Sequence, residues 1–122
     1  MSRDGQDVTI VDRDPAALNK AAERGVLGPD FRGNAMVGDG CDADLLRRAG
    51  IEDADCFIAV TEGDNRNIMA AQIAQHVFKV PRVVCRISDP IRYEAYRKLG
   101  LNSFCPTTDQ EERIHAMILE QK

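Results

Sequence analysis

Three short stretches of this 122-residue chain carry residue types and spacings that could recognise a ligand. Asp7-Val8-Thr9-Ile10-Val11-Asp12 is an apolar, β-branched run closed by a carboxylate and followed by Arg13. An acid at the carboxyl end of a buried parallel strand lies where open α/β sheets bind ligands, and in a dinucleotide fold it takes the ribose hydroxyls. The same Asp12 also suits a loop acid paired with Arg13, or a cap for a helix opening at Pro15. Gly38-Asp39-Gly40-Cys41-Asp42-Ala43 satisfies G-x-G-x-x-A by letter. As a phosphate loop it fails on charge, because Asp39, Asp42 and Asp44 would set three carboxylates where a pyrophosphate should sit. The following strand also ends in Val60-Thr61 before any acid. Asp39 and Asp42 suit equally the capping of the next helix. In the third stretch, Thr61 ends an apolar run and either meets a ligand or bonds the turn at Gly63. Asn65 and Asn67 follow, as helix-start donors near that point or as exposed first-turn residues. Arg86, a cation inside a strand, would face a carboxylate across a subunit contact or an anionic ligand.

The elements that position these residues alternate clearly. The strand at 7–12 leads into Asp14-Pro15, a good N-cap followed by a good first helical residue. Leu18, Ala21 and Ala22 make the apolar stripe, Gly25 stops the helix, and Gly28, Pro29 and Gly33 mark a loop. Asn34-Ala35-Met36-Val37 predicts a second strand. A helix over about 42–49 follows, with Leu45, Leu46 and Ala49 inward and Gly50 as its stop. Asp55 to Thr61 is a near-continuous apolar strand, which predicts a central position covered on both faces. The helix over 64–78 is predicted to bury Met69, Ala70, Ile73, Ala74 and Val77, with Gln72, Gln75 and His76 wet. Arg82 to Ile87 is the next strand, and Asp89-Pro90 opens a helix running to Gly100. Asn102 to Cys105 is a short last strand closed by Pro106. Thr108 to Glu111 fits a capping box for a terminal helix carrying Ile114, Met117 and Ile118. Five β-α units in succession predict a parallel sheet with helices on both faces, in a single domain over 1–122.

Composition narrows the function classes. A chain that is 43% hydrophobic and 30% charged is ordinary for a soluble globular protein. A net charge of −4, with no basic run and no Trp, argues against nucleic acid. The longest uncharged stretch, Asn67 to Phe78, carries two Gln and a His, so no direct membrane insertion is expected. No basic-then-apolar leader is present, so no signal peptide is expected. Cys41, Cys56, Cys85 and Cys105 form no C-x-x-C pair and share no ligand spacing with His76 or His115. The last three fall in apolar strand runs and read as small buried hydrophobes in a reducing cytoplasm. No G-x-S-x-G, Cys/His pair or H-E-x-x-H occurs, and Glu111-Glu112 and Glu52-Asp53 read as helix and surface turns. A binding module is therefore expected rather than an enzyme.

Taken in order, V-T-I-V-D-R-D-P, V-G-D-G-C-D, G-I-E-D-A-D-C-F-I-A-V-T, P-R-V-V-C-R-I-S-D-P and K-L-G-L-N-S-F-C-P-T resemble the regulator-of-potassium-conductance family. More narrowly, they resemble the N-terminal nucleotide-binding domain of Trk/Ktr-type potassium-uptake regulators, over residues 7 to about 120. The resemblance implies a Rossmann-like fold that binds NAD(H) or an adenine nucleotide such as ATP or ADP. It implies a cytoplasmic regulatory subunit that forms at least a dimer and lies at the inner face of the membrane through a potassium transporter or channel. By that resemblance Asp12 would hold the ribose and Arg13 flank the adenine. Gly38, Asp39, Gly40 and Cys41 would line the adenine side, with Asp39 accepting from the adenine amino group. Val60, Thr61 and Glu62 would lie across the ligand, and the terminal helix at 106–122 would meet a neighbouring subunit.

The family's first strand and its G-x-G-x-x-G loop have no counterpart here. That strand lies centrally in the family, between the strands at 7–12 and 55–61, so each of these is expected to lack a neighbour. The sheet must then close directly, borrow a strand from another chain, or belong to a longer parent. The lost loop also carried the backbone donors for pyrophosphate, so adenosine recognition is expected to outlast phosphate recognition. Two other readings fit the same residues. One is a fragment of an NAD-dependent oxidoreductase, which would need a substrate domain. The other is a nucleotide-blind chain that completes a sheet with a partner.

Overall fold

The computed structural model describes residues 7–18 and 34–120. The chain divides into two compact units, Met1–Gly50 and Ile51–Lys122. In the first, β1 (Thr9–Asp12) and β2 (Asn34–Val37) pair in parallel, Thr9 opposite Asn34 and Asp12 opposite Val37. Residues 15–18 are helical, and the Asp14 carboxylate accepts the Ala16 amide at 2.9 Å, as an N-cap should. The predicted stop at Gly25, the stripe residues Ala21 and Ala22 and the loop at Gly28, Pro29 and Gly33 lie outside the described residues. Helix α1 (Ala43–Arg48) is capped by Asp42, whose carboxylate accepts the amides of Asp44 and Leu45. It buries Leu45 and Leu46. The chain then turns at Gly50.

A 3₁₀ turn, Ile51–Asp53, opens the second unit. There β3 (Cys56–Ala59), β4 (Arg82–Arg86) and β5 (Ser103–Phe104) form a parallel sheet in that order. Cys56 lies opposite Arg82, and Cys85 opposite Ser103. Helix α2 (Asp64–Gln72) runs on into a π-helical turn, Ile73–Val77, and packs against β3 and β4. Helix α3 (Pro90–Lys98) is capped by Asp89, which accepts the Ile91 amide at 3.0 Å. Gly50 and Gly100 both sit at φ +91°, the left-handed conformation in which glycine ends a helix without a Cβ penalty. Helix α4 (Pro106–Glu120) closes the described chain. The core of this unit gathers Ile68, Ala71, Ala74, Val83, Cys85, Ile87, Leu101 and Cys105.

The alternation of strands and helices and the parallel pairing agree with the sequence. Several details do not. Among the described residues the strand at 55–61 is not covered on both faces: Ala59 is buried on one side of β3, while Cys56 and Ile58, on the other side, are exposed. Among the described residues β3 pairs with β4 and β1 with β2. Cys56 is consequently not a buried hydrophobe, whereas Cys85 and Cys105 are. On α2 and the π-helical turn, Met69 (54%) and Val77 (58%) are exposed, because the buried stripe runs through Asn67, Ile68, Ala70, Ala71 and Ala74. The terminal helix starts at Pro106, where proline needs no N–H partner, so Thr108 lies inside its first turn and is not the cap expected of Thr108 to Glu111. Thr108 instead donates its hydroxyl to Cys105 Sγ at 3.4 Å.

Ile87 is fully buried and Ile91 is 81% exposed. Urea denaturation should show Ile87→Ala losing about 2–5 kcal/mol, and Ile91→Ala staying within about 0.5 kcal/mol of the parent.

Candidate functional site

In each unit the parallel strands bring their carboxyl ends to one edge of their own sheet, and the loops leaving that edge hold the residues singled out above. In the first unit, the Gly38 amide donates to the Asp12 carbonyl at 2.9 Å, which brings Asp12 and the Gly38-to-Cys41 loop side by side. Asp12 is half-buried, and its Oδ1 accepts the Asp14 amide at 2.9 Å. The carboxylate thus helps open the following helix, while Oδ2 has no partner among the described residues. Arg13 is exposed. Asp39 is half-buried and accepts the Cys41 amide at 2.9 Å, and its carbonyl accepts the Asp42 amide at 3.0 Å. A Cβ on Gly38 would run into the buried Leu45 side chain, so glycine here lets α1 approach closely. Around Gly40 there is open space. Helix α1 is short and its start is already satisfied by Asp42, which agrees with the exclusion of this glycine pattern as a pyrophosphate loop.

Val60, Thr61 and Glu62 leave β3 in the second unit and are all exposed. Thr61 bonds the turn at Gly63, whose amide donates to its Oγ1 at 3.3 Å. Its main attachment is to Asn67. The Thr61 amide donates to Asn67 Oδ1 at 2.9 Å and the Thr61 hydroxyl to the same oxygen at 2.6 Å. Asn67 Nδ2 donates to the Thr61 carbonyl at 2.8 Å and to the Arg86 carbonyl at 3.0 Å. Asn67 is 1% exposed, so the expectation of an exposed first-turn residue is overturned: its partners are strand-end groups that must be satisfied out of water. The sequence held one signal, a polar residue in register with Ala71 and Ala74 on the packed stripe. Arg86 donates from Nη1 to the Thr61 carbonyl at 3.2 Å.

Asp64 ties down the neighbouring loop. Its carboxylate accepts the Ser88 amide at 2.7 Å and the Asp89 amide at 3.0 Å. Burial works against its charge, but these two amides and the nearby Arg92 prevail and hold the carboxyl below its ordinary 3.8. Burial, with the Asp64 charge second, pushes the Cys85 thiol up to about 11, so it is a core group and not a nucleophile. Among the described residues no group of three His, Cys, Asp or Glu side chains could hold a metal. No described helix is long and apolar enough to cross a membrane.

Parallel strands alternating with helices, with acids and glycines on the loops at their carboxyl ends, define a Rossmann-like α/β protein. Two solved structures share the fold. The Kef C-terminal domain of Shewanella denitrificans in its AMP-bound form superposes with a TM-score of 0.75 at 21% identity, covering 99% of this chain and 71% of that one. The NAD(P)-binding domain of an exopolyphosphatase-related protein from Archaeoglobus fulgidus gives 0.67 at 16%, covering 96% and 83%. The family model of the TrkA-N domain matches residues 1–106, and the chain belongs to that family. The Trk system potassium uptake protein TrkA of Streptomyces coelicolor is 44% identical over 101 residues, 83% of this chain and 43% of the relative. A TrkA homologue of Methanothermobacter thermautotrophicus is 30% identical over 100 residues, again 43% of its length. The chain therefore spans less than half the length of these relatives.

Two outcomes are expected. Gly38→Ala drives a methyl into Leu45 and should lower the urea midpoint by the equivalent of about 1–3 kcal/mol. The Asp64 carboxyl titrates lower in the folded chain than in the unfolded one, so its stabilisation is fully present above pH 3.8 and is lost as pH falls through the lowered value. The stability difference between the parent and Asp64→Asn should hold constant from pH 5 to 8, and shrink below about pH 4 in urea titrations.

Proposed function

We propose that this chain is a nucleotide-sensing regulatory domain of a potassium-uptake system, a binding module that takes an adenine nucleotide or NAD(H). One observation carries the reading: Asp12 and Asp39, half-buried acids at the carboxyl ends of paired parallel strands, are held side by side through the Gly38–Asp12 hydrogen bond. Carboxylates in this setting accept hydroxyl and amino hydrogens and repel phosphate. The adenosine part of the ligand therefore belongs here, with the ribose on Asp12, the adenine amino group on Asp39, Arg13 beside the base, and Gly40 and Cys41 lining it. Val60, Thr61 and Glu62 are ligand contacts of the second unit.

The names of the relatives support the potassium-uptake setting, and the Shewanella domain of the same fold is an AMP-bound form. A cytoplasmic location, next to a membrane transporter or channel subunit, follows from the same reading. Ile114, Met117, Ile118 and Leu119 on α4 are each more than half exposed, an apolar face that supports self-association into at least a dimer. Regulation would then be a population shift: the ligand binds one arrangement of the paired chains better, and its differential affinity biases the membrane partner.

The test is thermal unfolding with AMP, ADP, NADH and adenosine. A ligand at a hundred times its Kd adds about 2.7 kcal/mol, several degrees for a domain of this size. Asp12→Ala and Asp39→Asn should each remove most of that shift. Ile118→Glu should lower the mass seen in sedimentation without removing it. No shift with any of the four ligands would overturn the nucleotide reading. It would favour the nucleotide-blind partner chain, which the sides of β1 and β3 without a pairing among the described residues also suit.

A further inference from the structure

We infer that Asn67 is the positioning residue for the carboxyl edge of the second unit: it fixes the turn at residues 61–63 against the end of β4. The inference rests on the reading of Thr61 and Glu62 as ligand contacts, and it adds the group that gives those contacts their geometry. Strand pairing does not supply it. The registered ladder between β3 and β4 runs from Cys56 opposite Arg82 to Ala59 opposite Cys85, and Thr61 lies beyond its end. Past that point the connection between the two strand ends passes through side chains.

One amide makes that connection on four sides. Asn67 Oδ1 holds the Thr61 amide and hydroxyl at 2.9 and 2.6 Å, and Nδ2 holds the Thr61 and Arg86 carbonyls at 2.8 and 3.0 Å. An asparagine amide offers two donors and an acceptor oxygen with two lone pairs, so its capacity is filled. All three polar groups of Thr61 are gripped by the same side chain, which leaves the turn no second arrangement that keeps them bonded. The Thr61 carbonyl also receives Arg86 Nη1 at 3.2 Å, so the cation of this edge takes its direction from a carbonyl that Asn67 fixes. Asn67 itself is immobile: it is 1% exposed, on a helix whose neighbouring Ala71 and Ala74 are fully buried. Aspartate keeps the acceptor and loses both donors, and serine is too short to span from α2 to both strand ends.

The whole chain, Asn67→Ser, Asn67→Asp and a control, Ala71→Gly, would be compared by amide hydrogen exchange and by calorimetric titration with AMP, well below each unfolding midpoint. Ala71→Gly weakens the same helix without touching the clamp. In Asn67→Ser the amides of Thr61 and Gly63 should exchange at least tenfold faster relative to those of β4, and the Kd for AMP should rise tenfold or more. The control should raise exchange evenly and leave the Kd within twofold. Should the serine variant fail to fold, Asn67→Asp carries the affinity comparison. If folded Asn67 variants bind AMP as the parent does, with exchange at 61–63 following only the global loss, Asn67 is merely structural and the inference falls. If the parent itself binds neither AMP nor NADH, the nucleotide reading fails, and exchange at Thr61 and Gly63 decides the clamp alone: local acceleration upholds it, an even rise overturns it.

Discussion

A parallel sheet delivers the ends of its strands to one edge, and there the backbone must find partners that the ladder no longer provides. In this protein the first turn of α2 answers that need with side chains. Asn67 closes the space between the ends of β3 and β4, and Asp64 holds the start of the loop that follows β4. Each buried group left without such a partner would cost about 1–3 kcal/mol. The chain therefore places a polar residue among the buried Ile68, Ala70, Ala71 and Ala74, and accepts the desolvation of an amide in return for four hydrogen bonds. The turn after β3 and the Arg86 side chain are thus held to one another at this edge.

Elsewhere the same problem is solved locally and repetitively. Asp14, Asp42 and Asp89 each accept the amide two residues on and open a helix. Asp12 and Asp39 use the same short-range geometry at the ends of β1 and β2. These two bonds fix the direction of each carboxylate at its strand end.

Legibility follows the range of the interaction. Capping acids, the proline at a helix start and the glycines at positive φ are legible because each depends on residues within a turn of itself. The parallel pairing is legible from the alternation of strand and helix. Asn67 is not, since its partners lie six and nineteen residues away and nothing local requires it to be buried. Met69 and Val77 mislead for a related reason. The apolar spacing on α2 points to one face, but the face that packs is the one with the smaller residues, where the helix comes closest to the strands. In β3 the apolar run foretells burial on both faces, yet among the described residues only the side of Ala59 is buried, and Cys56 and Ile58 on the other remain exposed. Of the candidate site, the acids and glycines of the first unit and Thr61 are legible from strand ends; the clamp that orders the second edge is not.

The central claim is that the paired acids of the first unit receive the adenosine part of a nucleotide. It is tested most directly by following the backbone amide resonances of the labelled chain as AMP is added. The amides of Asp12, Arg13 and Gly38 through Cys41 should shift progressively and saturate together. If those amides stay in place at saturating AMP, whether or not signals elsewhere in the chain move, the acids do not hold the ligand and the account is wrong.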